Sequence, residues 1–265
     1  MPPPRTTNLD ELATALLANG PVRTLPAAPK RVRVRLGGTY VADTTRATYV
    51  WEHAFYPAYY LPLDAFAAGV LSYPRSGSGY ALATLSAGGV STDRVVVFLR
   101  GDGAARILAG LVRVEFAAAE WFEEDARVDV HPKDPFKRVD VVFSTRPVRV
   151  RVSGVEVADA KACFHLYETG LPVRFYLPAT AVHAGFLRES KTVTACPYKG
   201  EANYYDLVLG DGEGDGERRL KDVIWYYRNP KVECAPIAGC LCFYNERVDI
   251  ELDGEMLGRP ETPFS

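Results

Sequence analysis

No stretch of the 265-residue chain is apolar over anything near the roughly 20 residues that a membrane-spanning helix needs. The N-terminus, Met1-Pro2-Pro3-Pro4-Arg5, lacks the charged-then-apolar layout of a secretory leader. These two absences predict a soluble, cytoplasmic protein with no membrane partner. Charge of one sign is missing too, with 31 basic residues against 33 acidic ones and a net charge of −2. Without a basic excess to neutralise phosphates along a duplex, no nucleic-acid partner is expected. Five cysteines occur, Cys163, Cys196, Cys234, Cys240 and Cys242, with no C-x-x-C pair among them. An odd count without a leader favours free thiols, and the missing pairs predict no structural zinc. No glycine-rich phosphate loop and no paired aspartates at metal-binding spacing are present, so no cofactor and no metal are predicted. No long helical pattern separates the strand-like segments, which excludes a βαβ fold.

What remains is an ordinary globular composition, 48% apolar and 24% charged, in a chain long enough for one large domain or two ordinary ones. An internal repeat decides between them. Arg31-Val32-Arg33-Val34-Arg35-Leu36-Gly37-Gly38 and then Val41-Ala42-Asp43 are echoed by Val148-Arg149-Val150-Arg151-Val152-Ser153-Gly154 and Val157-Ala158-Asp159. At the same offset Glu52 falls on Glu168, and Tyr60-Leu61-Pro62 on Tyr176-Leu177-Pro178. Trp121-Phe122 resembles Trp225-Tyr226, and Arg138-Val139-Asp140-Val141 resembles Arg247-Val248-Asp249-Ile250. The predicted organisation is a short N-terminal helix and linker (1–30), a first, degenerate β domain (31–146) and a second β domain (147–265).

Alternating charged and apolar residues at the start of each copy are the period-two signal of half-buried strands, and the glycines that follow mark hairpin turns. Further strands are expected at Thr48–Trp51, Val95–Leu99, Leu111–Phe116, Val139–Phe143, Phe164–Tyr167, Arg174–Leu177, Tyr204–Leu209 and Val248–Leu252. Helical turns are expected after Pro62 and Pro178 and over Cys234–Gly239. Leu9–Leu17 reads as an amphipathic helix started by Asn8 or Asp10 and stopped at Asn19-Gly20, with Pro21–Pro29 as its linker. The Gly- and Ser-rich stretch Ser72–Gly89 reads as a long mobile loop, and Asp211–Glu217 as a solvated hairpin tip rather than a calcium loop. The short Thr145-Arg146-Pro147 connection predicts that the copies pack as a pseudo-dimer in a monomer, or in a weak homodimer.

Cys196-Pro197-Tyr198-Lys199-Gly200, followed by Tyr204-Tyr205, Trp225-Tyr226, Ile237-Ala238-Gly239 and Phe243-Tyr244, resembles the domain of unknown function 427 family, which also carries a nucleotidyltransferase-like label (NTP_transf_9). Trp121–Asp125 and His131–Pro135 resemble the N-terminal member of tandem proteins of that family. The resemblance covers nearly all of residues 31–252. It implies a mostly β fold of two tandem, tent-like (Mss4-like) antiparallel-sheet domains, an arrangement similar to that of methionine sulfoxide reductases and the ligand-binding domain of cereblon. Nucleotidyl transfer is not carried over, since the phosphate loop and paired aspartates are lacking.

Reactive residue types cluster in the second copy. A thiol beside a cation has its thiolate favoured, which makes Cys196 with Lys199 a candidate nucleophile pair; the alternative is a buried cysteine in a turn. Lys199 either holds an anionic substrate or oxyanion, or pairs with Glu168 or Glu201. Glu168, among Tyr167, Tyr176 and Trp225, is a candidate general acid or base, although Glu52 in the first copy points to a role common to both. Tyr176, Tyr198, Tyr204, Tyr205, Trp225, Tyr226 and Tyr227 make either core packing or the wall of an aromatic pocket, in which Tyr204 or Tyr205, not both, faces the ligand. His165 could form a dyad with Cys196, whereas His53, His131 and His183 read as surface or loop residues. The catalytic candidates are therefore Glu168, Cys196, Lys199 and Tyr204, and the substrate-binding candidates Tyr176, Tyr198, Tyr205, Trp225 and Tyr227. Two functions fit: a metal-independent small-molecule enzyme using acid–base or covalent chemistry in the second copy, with Ser72–Gly89 as a lid, or a non-catalytic module that binds a small ligand or modified side chain. A purely structural partner protein would have no pocket in that copy.

Overall fold

The computed structural model describes residues 8–210 and 218–262, so the Asp211–Glu217 tip lies outside the described residues. Contacts divide the chain into two units, Pro2–Asp134 and Pro135–Ser265. The first opens with helix α1 (Leu9–Asn19). Its strands are β1 (Arg23–Pro26), β2 (Val32–Leu36), β3 (Thr39–Thr44), β4 (Thr48–Trp51), β5 (Ala58–Pro62), β6 (Leu71–Ser76), β7 (Tyr80–Ala87), β8 (Val90–Phe98), β9 (Leu111–Val114), β10 (Glu120–Glu123) and β11 (Ala126–Val128). The second unit comprises β12 (Val139–Ser144), β13 (Val148–Val152), β14 (Val155–Ala160), β15 (Cys163–Glu168), β16 (Arg174–Leu177), β17 (Leu187–Cys196), β18 (Gly200–Leu209), β19 (Arg218–Tyr227), β20 (Leu241–Phe243), β21 (Asp249–Leu252) and β22 (Glu255–Met256).

The repeat is plain in the pairing. Each unit has a seven-stranded antiparallel sheet, ordered β1-β4-β5-β9-β8-β7-β6 in the first and β12-β15-β16-β20-β19-β18-β17 in the second. Each also has a four-stranded sheet, β11-β10-β2-β3 and β14-β13-β21-β22 respectively. The fold is mostly β, in two similar groups of sheets. Within each unit both sheets feed one core. In the first, Val32, Val34 and Leu36 pack with Leu61, Leu85, Val97 and Val112. In the second, Val148, Val150 and Val152 pack with Phe175, Leu177, Leu207 and Phe243.

The face of each larger sheet turned away from that core differs between the units. In the first unit α1 covers it. Leu9, Leu12, Ala13 and Leu16, at helical spacing, bury against Val50, Tyr60, Val96 and Phe98. The Asn8 side chain caps the helix by accepting from the backbone N–H of Asp10 and Glu11, and Gly20 ends it at a positive φ. In the second unit the same face carries Leu166, Tyr176, Ala202, Tyr204, Trp225, Tyr227 and Cys242, packed with Cys234 and Ile237 of the short helical turn Val232–Ile237.

Several expectations are corrected. Ser72–Gly89 is not a loop: β6 and β7 form a hairpin, with Ala81, Ala83 and Leu85 buried on its faces, so it supplies no lid. Its small side chains pass for loop composition but alternate as a strand does. Residues 23–26 are a strand, not linker, and pair with β4. β12, assigned above to the end of the first copy, pairs with β15 and opens the second unit as β1 opens the first. Nor are the two tryptophans counterparts. Trp121 lies opposite Val34 on the smaller sheet, whereas Trp225 lies opposite Cys242 on the larger one, where the first unit has Val96 opposite Arg113. Among the described residues no helix is long and apolar enough to cross a membrane.

Candidate functional site

Strand parity builds the site. On β15, Phe164 and Leu166 turn to the far face of the larger sheet and Cys163 to the core. Glu168, two residues on from Leu166, follows them and meets Lys199, whose Nζ donates to Glu168 Oε2 at 2.5 Å. Both side chains are nearly buried, 13% and 8% exposed. Lys199 stands in the three-residue turn between β17 and β18, and its carbonyl accepts from the Lys231 N–H at 3.0 Å. Gly200 closes that turn at φ 103°, where a Cβ would lie 3.3 Å from the Asn229 carbonyl oxygen, so glycine is required there. The motif is thus a hairpin tip docked on the 229–231 segment, with Lys199 delivered to Glu168.

The electrostatics follow from this burial. Desolvation alone would lower the Lys199 ammonium, but Cys196 and Glu168 outweigh it and hold its pKa above the ordinary lysine value. Cys196, half-buried at the end of β17, acts electrostatically on Lys199, Tyr176, Tyr227 and Cys234. Burial, the main cause in each case, drives the Tyr176 and Tyr227 phenols well above their ordinary value and raises the Cys234 and Cys242 thiols. The phenols are therefore proton-bearing donors at neutral pH.

The structure brings together Glu168, Lys199, Cys196, Tyr176, Tyr204, Trp225 and Tyr227. Tyr176 Oη accepts from Trp225 Nε1 at 3.0 Å, and Tyr204 Oη bonds Thr194 Oγ1 at 2.8 Å. Tyr198 is buried within the turn itself. Tyr205 and Tyr226 are not brought in: they stack on each other at 5.0 Å and pack on the core side of the sheet. Tyr204 is thus the member of its pair on the site face. The His165–Cys196 dyad is excluded as well. His165 turns to the core side, its ring 4.9 Å from that of Phe175, and burial lowers its pKa.

Sequence reasoning missed Arg174 and Glu246. Arg174 donates to both oxygens of Glu246 at 2.7 Å, with side chains 9% and 0% exposed. Its guanidinium lies 5.5 Å from the centre of the Trp225 ring and 5.9 Å from that of Tyr244. The aromatic floor is flanked by two ion pairs. The available signal was Arg174 at the strand position two before Tyr176.

The first unit reveals what is general and what is special. Glu52, the counterpart of Glu168, also meets a buried cation, but from another strand: Arg113 on β9 donates Nε to Glu52 Oε1 at 2.7 Å and Nη2 to Oε2 at 3.3 Å. By register Arg113 faces Tyr60 as Cys242 faces Tyr176. Where the second unit has Cys242 at the register position of the arginine, Lys199 supplies the cation. A cavity of about 130 Å³ opens beside the first pair, lined among others by Glu52, His53, Tyr56, Arg113, Phe116 and His131. His53 and His131, read from sequence as surface or loop residues, stand in loops that line this cavity.

Comparison with known proteins adds one result. The family NTP_transf_9, described as a domain of unknown function (DUF427), matches residues 24–78 and 140–254. No curated protein matches the chain. The two matched segments begin at or next to the equivalent strands β1 and β12 and together cover more than half of the sequence. The chain belongs to the DUF427 family.

Proposed function

We propose that this protein is a small-molecule enzyme whose site is the far face of the second unit's larger sheet. The observation that carries this reading is the buried Lys199–Glu168 pair beside the half-buried thiol of Cys196, on a floor of tyrosines and tryptophan. Removing two charges from water is costly, and convergent buried titratable groups cluster where chemistry is done. Cys196 is the nucleophile. Lys199, a firm cation, holds negative charge that develops on a substrate oxygen. Glu168 positions Lys199 and accepts the thiol proton. Tyr204 offers its hydroxyl to the substrate, and Tyr176, Trp225 and Tyr227 form the wall for a flat ligand.

The test is consumption of compounds from small-metabolite mixtures, followed by NMR with the whole chain. Cys196→Ala should abolish turnover of any substrate found. The Glu168→Gln/Lys199→Met double variant should lower it by about 100-fold or more, the scale of losing one oxyanion-stabilising group. Turnover at the wild-type rate in both variants overturns the proposal. A second reading, binding without chemistry, is favoured by the proton-bearing phenols of Tyr176 and Tyr227. Its signature is a retained ligand that is never consumed and is lost in Trp225→Ala.

A further inference from the structure

Two thiols of the second unit converge on one cation from separate segments of the chain. On β17, Thr194 lies opposite Ala202 and Cys196 opposite Gly200, so both side chains turn to the face that carries Ala202 and Tyr204. The hydroxyl bond between Thr194 and Tyr204 follows the same parity. Cys234 is buried on that face too, in one cluster with Ala202, Tyr204 and Tyr227. The backbone ties the two segments together. The Lys231 N–H donates to the Lys199 carbonyl at 3.0 Å, and the Cys234 N–H to the Lys231 carbonyl at 2.8 Å. Cys196 and Cys234 therefore stand on either side of one docked contact, with Lys199 between them.

The two sulfurs differ in environment and so in chemistry. Cys196 is half-buried and within reach of a small solute. Cys234 is fully buried, and burial raises its pKa, so it keeps its proton. The Lys199 ammonium acts on both sulfurs, and Cys196 acts on Cys234. A neighbouring ammonium favours the thiolate, which is the form that peroxides oxidise. The remaining thiols are placed otherwise. Cys163 turns to the core, where burial pushes its thiol up to about 11 and its sulfur neighbour is Cys240. Cys242 is fully buried between Tyr176 and Trp225 in the sheet. An oxidant entering from solvent therefore meets Cys196, and the thiol facing the product is Cys234.

We propose that Cys196 and Cys234 are a redox pair that hydroperoxides convert to a disulfide. The Cys196 sulfur attacks the terminal peroxide oxygen: the S–O bond forms, the O–O bond breaks, and the sulfur gives an electron pair to the peroxide. The thiol proton leaves with the departing oxygen as an alcohol or water. The Cys234 sulfur then attacks the Cys196 sulfenic acid. The S–S bond forms, and the sulfenic hydroxyl leaves with the Cys234 proton as water. The bond occupies the nucleophile of the proposed enzyme, so oxidation silences that site until an added thiol reduces it. Only this consequence rests on the enzyme reading; the disulfide itself does not. The test treats the reduced full chain with hydrogen peroxide in the absence of any substrate, blocks the remaining thiols with iodoacetamide and maps linked peptides by mass spectrometry. A Cys196–Cys234 peptide is expected in the monomeric chain, about tenfold or more above any other cysteine pairing and lost with dithiothreitol. Cys234→Ala should instead leave Cys196 as a sulfenic acid that dimedone traps, and Cys240→Ala should form the bond as the wild type does. A Cys163–Cys240 or intermolecular linkage in its place, sulfinic acid at Cys196 of the wild type, or a chain without the bond overturns the proposal. Turnover without the bond defeats this proposal alone, and the bond without any turnover defeats the enzyme reading alone.

Discussion

Substituting Lys199 by methionine removes the cation but keeps most of the apolar stem, leaving Glu168 with a side chain 8% exposed and no counter-charge. Breaking one half of a buried pair costs roughly 3–5 kcal/mol, because the remaining charge is stranded in low dielectric. An exposed pair would cost at most about 1 kcal/mol. In a unit of this size roughly 3–4 °C is lost per kcal/mol, so Lys199→Met should lower that unit's melting temperature by on the order of 10–20 °C. Glu168→Gln/Lys199→Met, with no stranded charge, should recover most of the loss. The sign with pH is fixed by the raised Lys199 pKa: its contribution is fully present below the ordinary lysine value of about 10.5 and is lost as pH rises through the higher folded value. Calorimetry from pH 7 to 11 measures both. A single variant within about 1 kcal/mol of wild type, or a double variant no better than the single, would refute the reasoning.

Two further outcomes follow from the aromatic contacts. Trp225→Phe leaves the buried Tyr176 oxygen without its donor, whereas Trp121 Nε1 is already buried without a partner. Denaturant unfolding should therefore show Trp225→Phe costing about 1 kcal/mol more than Trp121→Phe, and equal costs would count against the bond. The phenols of Tyr60, Tyr176 and Tyr227 are raised by burial, so their contribution to stability holds below pH ~10 and is lost above it. In an alkaline titration at the tyrosinate absorbance band these three should ionise only with unfolding; a smooth non-cooperative titration of all tyrosines would contradict this.

The repeat, the fold class and the glycine-closed motif were legible in the sequence because each leaves a local mark: period-two alternation, a fixed offset, a residue with positive φ. Glu52 and Glu168 were legible as equivalent for the same reason. Lys199 was legible as a candidate partner of Glu168, and the structure makes that pair; Arg113 as the partner of Glu52 was not, because only the register of β9 and β20 shows that Cys242 stands in the place of Arg113. The parity of β18 was legible as a choice between Tyr204 and Tyr205, and the sheet decides it. The Trp121–Trp225 match failed because two buried aromatic strand segments look alike in sequence and yet lie in different sheets. The β6–β7 hairpin was missed since alanine and serine carry weak strand preference, and pairing of β7 within the larger sheet with burial of Ala81 and Ala83 overrides it.

The exchange of cations also explains the volumes around it. In the first unit a long arginine at 113 is paired with a small valine at 96; in the second a small cysteine at 242 is paired with a large tryptophan at 225. Close-packed interiors tolerate such changes best when the summed volume is kept. An arginine could therefore return to the second unit only if the tryptophan receded. Lys199→Met combined with Cys242→Arg and Trp225→Val should rebuild the first unit's arrangement and be more stable than Lys199→Met alone, since Glu168 regains a counter-charge. Without Trp225→Val the added arginine overpacks the face, and Lys199→Met/Cys242→Arg should be less stable than the triple variant by about 1–3 kcal/mol. Denaturant midpoints give the order directly. If the triple variant ranks below Lys199→Met, the two cations are not interchangeable, and Lys199 is held at Glu168 for something other than charge balance.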